Sequence, residues 1–328
     1  MVGKYRALFS KVWKKLQAAT QMGSSLWTGG GQTGSLPRMK ETYSKDDLTR
    51  FPPRHDVLTA IDSDGCVFDS MTIKQRIFHT ELIKLWGLDA VEAEVRQVAE
   101  WVSLYSPWRG LNRFQLLLQI FQTLEKAKDF FPTLGKTPET KSLEAFVESG
   151  VALSNDELKK WNDPELQKVL DWSLEVSRQI AAIPEMPVFD GVFQCLEKIR
   201  ECADAIVVSQ TTEEALVREW RNAELERFVD VIAGAELGSK IESLGTAMNN
   251  RYTPEKTLMV GDAPGDLETA RATGGLFFPI IPGDEVASWI ELREEGLDRL
   301  LKGTFAGTYQ EYLIVRFNAA LSPIPPWA

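Results

Sequence analysis

Residues 57–70 read VLTAIDSDGCVFDS, an apolar run followed at once by two aspartates and a glycine. The run 57–61 has the length and composition of a buried strand. Asp62 and Asp64 come where that strand ends, and Gly65 allows a sharp turn there. The same tetrad also occurs in simple turns and calcium loops, so its meaning depends on what the rest of the chain supplies.

The second half of the chain alternates between strand and helix patterns. Four further apolar runs predict buried strands, at 205–208, 229–233, 257–260 and 275–281. Helical periodicity lies between the later runs, for example at 213–223 and 266–273. Strands that alternate with helices predict a parallel sheet with right-handed crossovers, and therefore an α/β fold.

This alternation is interrupted between the first two strands. The interruption has the period of helices, at 73–86, 90–105, 113–124, 140–149 and 164–183. We therefore predict a helical cap at 72–187, inserted into an α/β core formed by 55–71 and 188–328, with a C-terminal extension. Residues 1–54 are predicted to hold an amphipathic helix and a connector rich in glycine and serine.

Composition excludes several functional classes. The chain has 328 residues and a formal net charge of -10, which argues against nucleic acid as a partner. Three cysteines and two histidines support neither a disulfide framework nor a zinc site. No apolar run is long enough for a transmembrane helix, and we expect a cytoplasmic protein. The basic first twenty residues could dock on an anionic membrane or pack on protein, and a homo-oligomer stays open.

Polar residues follow three of the predicted strands. Asp262 and Asp266 come after the strand at 257–260, and their carboxylates suit magnesium better than a softer metal. Ser209 ends the strand at 205–208, where a hydroxyl and free N–H groups could hold a phosphate, although a helix cap explains the same residues. Lys240 lies between these sites in the chain and could offset the repulsion between aspartates and phosphate.

This order of sites resembles the haloacid dehalogenase-like (HAD) hydrolase superfamily. Over about residues 55–283 the chain has an acidic pair, a serine, a lysine and a second acidic pair at successive strand ends. The helical insertion looks like the C1 cap of the β-phosphoglucomutase-like branch. The resemblance implies a Rossmann-like core and an Mg²⁺ ion held by Asp62, the main-chain carbonyl of Asp64 and Asp262, with Asp266 in support.

The resemblance also implies the chemistry. Asp62 would be the nucleophile and Asp64 the general acid and base, with Ser209 and Lys240 completing the catalytic set. Because Asp64 is present, phosphate esters fit better than halogenated or phosphonate substrates. Cys66 departs from the usual threonine, and the cap is longer than is usual for this branch.

Several residues could recognise the rest of a substrate. Arg109, Asn112 and Arg113 lie together on a predicted turn of the cap, where arginines would suit a phosphate, a carboxylate or sugar hydroxyls. Lys74 begins the cap, and Gln210 adjoins Ser209. A helix cap at Asn112 and a solvated Arg113 or Lys74 are the structural alternatives.

The sequence thus predicts a magnesium-dependent phosphohydrolase that acts on a small phosphorylated metabolite through an aspartyl-phosphate. The sequence leaves two alternatives open. A phosphomutase would return the phosphoryl group to a sugar, and a catalytically silent protein would keep the fold as a binding scaffold.

Overall fold

A parallel sheet forms the core of the protein. Its strands are β1 (Leu58–Ile61), β2 (Asp204–Val208), β3 (Val231–Ala233), β4 (Thr257–Gly261) and β5 (Leu276–Pro279). The computed structural model describes residues 40–249 and 251–328, and within them the sheet has the order β3-β2-β1-β4-β5. Every strand pairs in parallel with its neighbours, which confirms the predicted α/β fold.

The predicted strands agree with the observed ones to within two residues at every end. Agreement is good because each strand is buried along its whole length, and burial on both faces produces the continuous apolar runs seen in the sequence. The amphipathic helix predicted in the first twenty residues, together with the connector after it, lies outside the described residues. In the described residues a short helix, α1 (Lys45–Arg50), precedes the sheet and buries Leu48 in the core.

A bundle of helices follows β1. Its members are α2 (Ser70–Trp86), α3 (Glu92–Leu104), α4 (Arg113–Ala127), α5 (Lys141–Glu148), α6 (Asn155–Leu158) and α7 (Pro164–Ala181). Their apolar faces form a hydrophobic cluster separate from that of the sheet. The bundle is the predicted helical cap. Only α6 has no counterpart among the predicted cap helices, because a segment of one turn is too short to show helical periodicity.

Helices on both faces cover the sheet. They are α8 (Val192–Cys202), α9 (Glu213–Asn222), α10 (Lys240–Met248) and α11 (Pro264–Thr273). After β5 come α12 (Glu285–Glu291), α13 (Leu297–Leu301) and α14 (Thr308–Ala320). The ring of Phe317 on α14 packs against Phe277 on β5 at 5.4 Å between centroids, so the C-terminal extension covers the β5 edge. Within the described residues, no helix has the length and apolarity to cross a membrane.

Candidate active site

The carboxyl ends of three adjacent strands meet at one edge of the sheet. Asp62 follows β1, Ser209 follows β2 and Asp262 follows β4, and all three residues are buried. The strands hold these positions by backbone hydrogen bonds: the Asp62 N–H donates to the Val260 carbonyl, and the Ser209 N–H donates to the Ala233 carbonyl. The carboxyl edge of an open parallel sheet is where such folds gather their ligands.

Lys240 supplies a positive charge among these acids. Its Nζ lies 2.8 Å from Oδ2 of Asp62 and 2.6 Å from Oδ1 of Asp266. Burial alone would lower the pKa of Lys240, but Asp266 and Asp62 outweigh burial and raise it above the ordinary value. The lysine is therefore a fixed cation that bridges β1 and α11. The sequence placed it here only through the order of the four sites.

Asp62 sits in a conflicting electrostatic environment. Burial raises its pKa, Lys240 opposes that effect, and the nearby carboxylates of Asp266 and Asp262 add to it. The net direction is upward, as expected for a buried carboxyl with other carboxyls nearby. Its Oδ1 accepts a hydrogen bond from the Ser63 N–H at 2.7 Å. An additional cation beside Asp62 would relieve the repulsion and favour the carboxylate.

Asp64 is held quite differently. Oδ1 accepts hydrogen bonds from Ser70 Oγ and Lys74 Nζ, both at 2.5 Å, and Oδ2 accepts one from Thr211 Oγ1 at 2.7 Å. Burial would raise the pKa of Asp64, but Lys74 and the two hydroxyls outweigh it and lower the pKa. In this arrangement Asp64 is a carboxylate.

Arg109 reaches the site from the cap. Its Nε donates to Oδ2 of Asp262 at 2.7 Å, and Nη1 donates to the Leu104 carbonyl at 2.9 Å. The side chains of Arg109 and Asp262 are both almost fully buried. Burial raises the pKa of Asp262, and Arg109 opposes that shift without cancelling it. Oδ1 of Asp262 is buried and has no hydrogen-bond partner.

The acids fit a divalent cation. Carboxylate oxygens of Asp62, Asp262 and Asp266 lie within 4.8 Å of one another, which is a hard-oxygen set of the kind that Mg²⁺ prefers. The unpartnered Asp262 Oδ1 is a ligand atom that such an ion would satisfy. Both oxygens of Asp266 already have partners, Lys240 and the Ala263 N–H. Asp266 is thus better placed to support the site than to bind an ion directly.

Two glycines allow the close approach of these segments. A Cβ on Gly65, which has φ of 75°, would lie 2.5 Å from Asp262 Oδ2 and 2.8 Å from Arg109 Nη2. A Cβ on Gly110, which has φ of 81°, would lie 2.6 Å from the Ala263 Cβ. Gly65 therefore lets the turn after β1 lie beside Asp262 and Arg109, and Gly110 lets the cap loop lie against the turn after β4.

The structure does not bring every predicted binding residue to the site. Asn112 caps α4 by accepting from the Phe114 N–H, and its amide donates to the Leu153 carbonyl. Arg113 donates to Ser173 and Ser177 and covers the Phe78 ring, inside the cap. Gln210 is exposed and donates to the Gly238 carbonyl at 3.4 Å. Of the predicted substrate-binding residues, Arg109 contacts Asp262 and Lys74 contacts Asp64.

Two hydroxyl residues of the site were not assigned from the sequence. Ser70 and Thr211 both donate to Asp64. Ser70 lies in the quoted stretch and Thr211 two residues beyond Ser209, but a hydroxyl at a helix start is equally typical of a cap. Cys66 is buried, and burial raises its pKa well above the ordinary value, so its thiol is a poor nucleophile here.

The sequence of the chain also matches the model of a known protein family. The model of haloacid dehalogenase-like hydrolases matches residues 111–278, half of the chain. The chain belongs to the haloacid dehalogenase-like hydrolase family. The matched part of this hydrolase includes Ser209, Lys240, Asp262 and Asp266, whereas Asp62 and Asp64 precede it. The search of curated proteins finds no match.

Solved structures give weaker similarities to this hydrolase. A haloacid dehalogenase-like hydrolase from Streptococcus pneumoniae is 16% identical, with a TM-score of 0.40 over 71% of this chain and 90% of that one. A subfamily IA hydrolase from Geobacter sulfurreducens is 13% identical, with a TM-score of 0.38 over 68% and 88%. A predicted phosphoglycolate phosphatase from Haemophilus somnus is 14% identical, with a TM-score of 0.41 over 69% and 84%. Similarities this weak carry no argument about activity or substrate.

Proposed function

We propose that this hydrolase is a magnesium-dependent phosphomonoesterase that acts on a small phosphorylated metabolite through an aspartyl-phosphate on Asp62. The observation that carries the proposal is the constellation at the carboxyl edge of the sheet: a buried Asp62 beside the Lys240 cation, with an unpartnered oxygen of Asp262. This set combines a nucleophile with positive charge for a phosphate dianion.

Each residue has a separate role in the proposed reaction. An Asp62 carboxylate oxygen bonds to phosphorus while the ester oxygen leaves and takes a proton from Asp64. Water then attacks the phosphoryl group, Asp64 accepts the water proton, and inorganic phosphate leaves Asp62 as a free carboxylate. Ser209 and the N–H groups after β2 would hold the phosphoryl oxygens, and Lys240 would offset their charge.

Asp62, the Asp64 carbonyl and Asp262 would hold Mg²⁺, which when bound neutralises charge on the phosphoryl oxygens. Arg109 and Lys74 would contact the substrate from the cap side of the site. In its proton-donor step Asp64 must be protonated, so its ion pair with Lys74 has to loosen when substrate binds. Lys74 lies on the first helix of the cap, and a change in cap position is a direct way to loosen that pair.

The first prediction tests the nucleophile. Asp62→Asn keeps the size of the side chain but removes the attacking carboxylate, so phosphate release in Mg²⁺ should fall by roughly a thousandfold or more. The assay is a panel of phosphorylated metabolites and p-nitrophenyl phosphate, with phosphate and transferred products both measured. Transfer to a sugar in place of release would favour the mutase.

The matched control is Asp56→Asn, the same change before the opposite end of β1, at a side chain that is 78% exposed. It should leave the rate within about twofold, because surface substitutions rarely affect distant chemistry. Turnover that survives Asp62→Asn would remove Asp62 from the proposed role. A flat panel for the unaltered chain, with no Mg²⁺ binding by calorimetry, would favour a binding scaffold.

A further inference from the structure

The segment after α14 connects the two hydrophobic clusters of the molecule. Leu321, just beyond the end of α14, is buried in the cluster of the sheet. Trp327, six residues later, packs against the cluster of the cap. We call residues 322–328 the strap. Six residues span at most about 20 Å even when fully extended, so this connection limits how far the cap can move from the core while Trp327 stays in place.

The ring of Trp327 packs against two aromatic rings of the cap. Its centroid lies 5.5 Å from Trp101 on α3, at an interplanar angle of 77°, and 5.7 Å from Phe131 beyond α4. The contact with Trp101 is edge-to-face, a geometry that stabilises beyond the apolar area it buries. The contact is therefore a specific attachment of the strap to the cap.

The sequence of the strap favours this attachment. It reads SPIPPWA, with prolines at 323, 325 and 326. Proline restricts the backbone of the detached segment, so docking costs less conformational entropy than it would for a flexible tail. Ser322 Oγ accepts from the Ile324 N–H at 3.1 Å, and the Ala328 N–H donates to the Pro325 carbonyl at 3.2 Å. These bonds shape the strap as a turn that presents Trp327.

A series of contacts runs from the strap to the candidate site. Trp101 packs edge-to-face on Trp108, with 5.6 Å between centroids. Trp108 directly precedes Arg109, whose guanidinium pairs with Asp262. The loop that carries both residues is closed by hydrogen bonds from the Arg109 N–H to the Ser106 carbonyl and from the Leu111 N–H to the Trp108 carbonyl, both at 3.1 Å. Trp327 thus supports, through two indole rings, the loop that carries Arg109.

We propose that residues 322–328 fasten the cap to the core and that Trp327 is a positioning residue for Arg109. The strap itself follows from packing alone. Its bearing on turnover rests on the proposed phosphatase function, and the main experiment therefore measures the loop and not the reaction.

The experiment is hydrogen–deuterium exchange of the full chain, followed by mass spectrometry of peptides that cover 105–112. Trp327→Ala should increase exchange of the Arg109 and Leu111 amides roughly five- to tenfold, because Trp101 loses the ring that supports it and then holds Trp108 and its loop less firmly. Trp327→Phe keeps an aromatic ring and should restore most of the protection. Ile324→Ala is the matched control, since this strap side chain is 66% exposed, and it should change nothing.

Unchanged exchange in Trp327→Ala would overturn the proposal. An equal rise in peptides of β1 and β4 would also overturn it, because the strap would then stabilise the whole fold and not the cap loop. Protection no better in Trp327→Phe than in the alanine variant would exclude ring packing as the cause. Should the alanine variant fail to fold, Trp327→Leu keeps an apolar side chain without a ring and should give an intermediate rise.

A kinetic measurement connects the strap to the site. If the chain is a phosphatase, Trp327→Ala should raise KM several-fold with a smaller change in kcat, because Arg109 would contact bound substrate. An inactive parent chain would refute the proposed function and leave the exchange result to decide the strap. An active parent whose KM is unaffected by Trp327→Ala would refute the effect of Trp327 on substrate binding.

Discussion

The carboxylate of Asp64 accepts hydrogen bonds from both the cap and the core. Ser70 and Lys74 belong to α2 of the cap, and Thr211 belongs to the turn after β2 of the core. Lys74 is 8% exposed, and its Nζ also lies 4.0 Å from Oε1 of the buried Glu219. A buried lysine between two acids is a positioned charge and not a solvated surface residue. This geometry favours a role in orienting Asp64.

The second prediction concerns Lys74. Lys74→Met keeps the length of the side chain but removes the cation that orients Asp64, and phosphate release should fall by about a hundredfold, the lower part of the range for general acid–base catalysis. The measurement is kcat for the best substrate of the panel. Lys84→Met is the matched control on the same helix, at a side chain that is 61% exposed. A Lys74→Met rate within twofold of the parent would exclude the orienting role.

For single elements, the sequence predicts the positions of the strands better than the directions of the side chains. The aspartates of the site could be placed because they follow apolar runs whose carboxyl ends must meet at one sheet edge. Arg109 and Arg113 could not be distinguished in this way, because both lie near one turn of the cap. The two side chains point in different directions because Arg109 contacts Asp262 and Arg113 contacts Ser173. These contacts join residues far apart in the chain, so no local sequence pattern encodes them. The contact of Trp327 with Trp101 is equally long-range.

Helix α2 carries a second buried titratable residue, His79. Its Nε2 lies 3.2 Å from Ser103 Oγ on α3, and the residue is 1% exposed. Burial, with a smaller contribution from Arg96, lowers the pKa of His79 to about 3. The imidazole is therefore neutral in the folded cap at neutral pH.

The third prediction follows from that pKa. Between about pH 6.5 and about pH 3 the unfolded chain binds a proton at His79 that the folded chain does not bind, so the free energy of unfolding increases with pH in this window. Its contribution is fully present above about pH 6.5 and is lost on acidification, by at most about 1.4 kcal/mol per pH unit. Urea unfolding at pH 7.5 and pH 5 should show a smaller loss for His79→Gln than for the parent chain.

His55→Gln is the control for this measurement, because the chain has only these two histidines. It should retain the acid sensitivity of the parent. If His79→Gln loses stability on acidification as steeply as the parent, the acid sensitivity arises from carboxylates and not from the cap histidine.

At the scale of the whole molecule, the cap and a candidate metal ligand are directly connected. Arg109 belongs to the cap, and its guanidinium pairs with Asp262 after β4. The guanidinium pairs with Oδ2 and Mg²⁺ would take Oδ1, but two cations at one carboxylate repel each other and neutralise the same buried charge, so each should weaken the binding of the other. Closure of the cap with Arg109 at Asp262 should therefore oppose binding of the metal. Because the strap limits cap movement, it should also affect the affinity for the metal.

The last prediction tests this competition by binding and not by activity. Arg109→Met removes the guanidinium but keeps an apolar side chain in the same space, so Asp262 loses its partner and should bind Mg²⁺ more tightly, on the order of tenfold in Kd by calorimetry at pH 8. Arg178→Met, at a cap arginine that is 69% exposed and pairs only with cap residues in the described part of the chain, should leave Kd unchanged. An unchanged or weaker affinity in Arg109→Met would mean that the arginine assists the metal site, and that cap closure and metal binding reinforce each other.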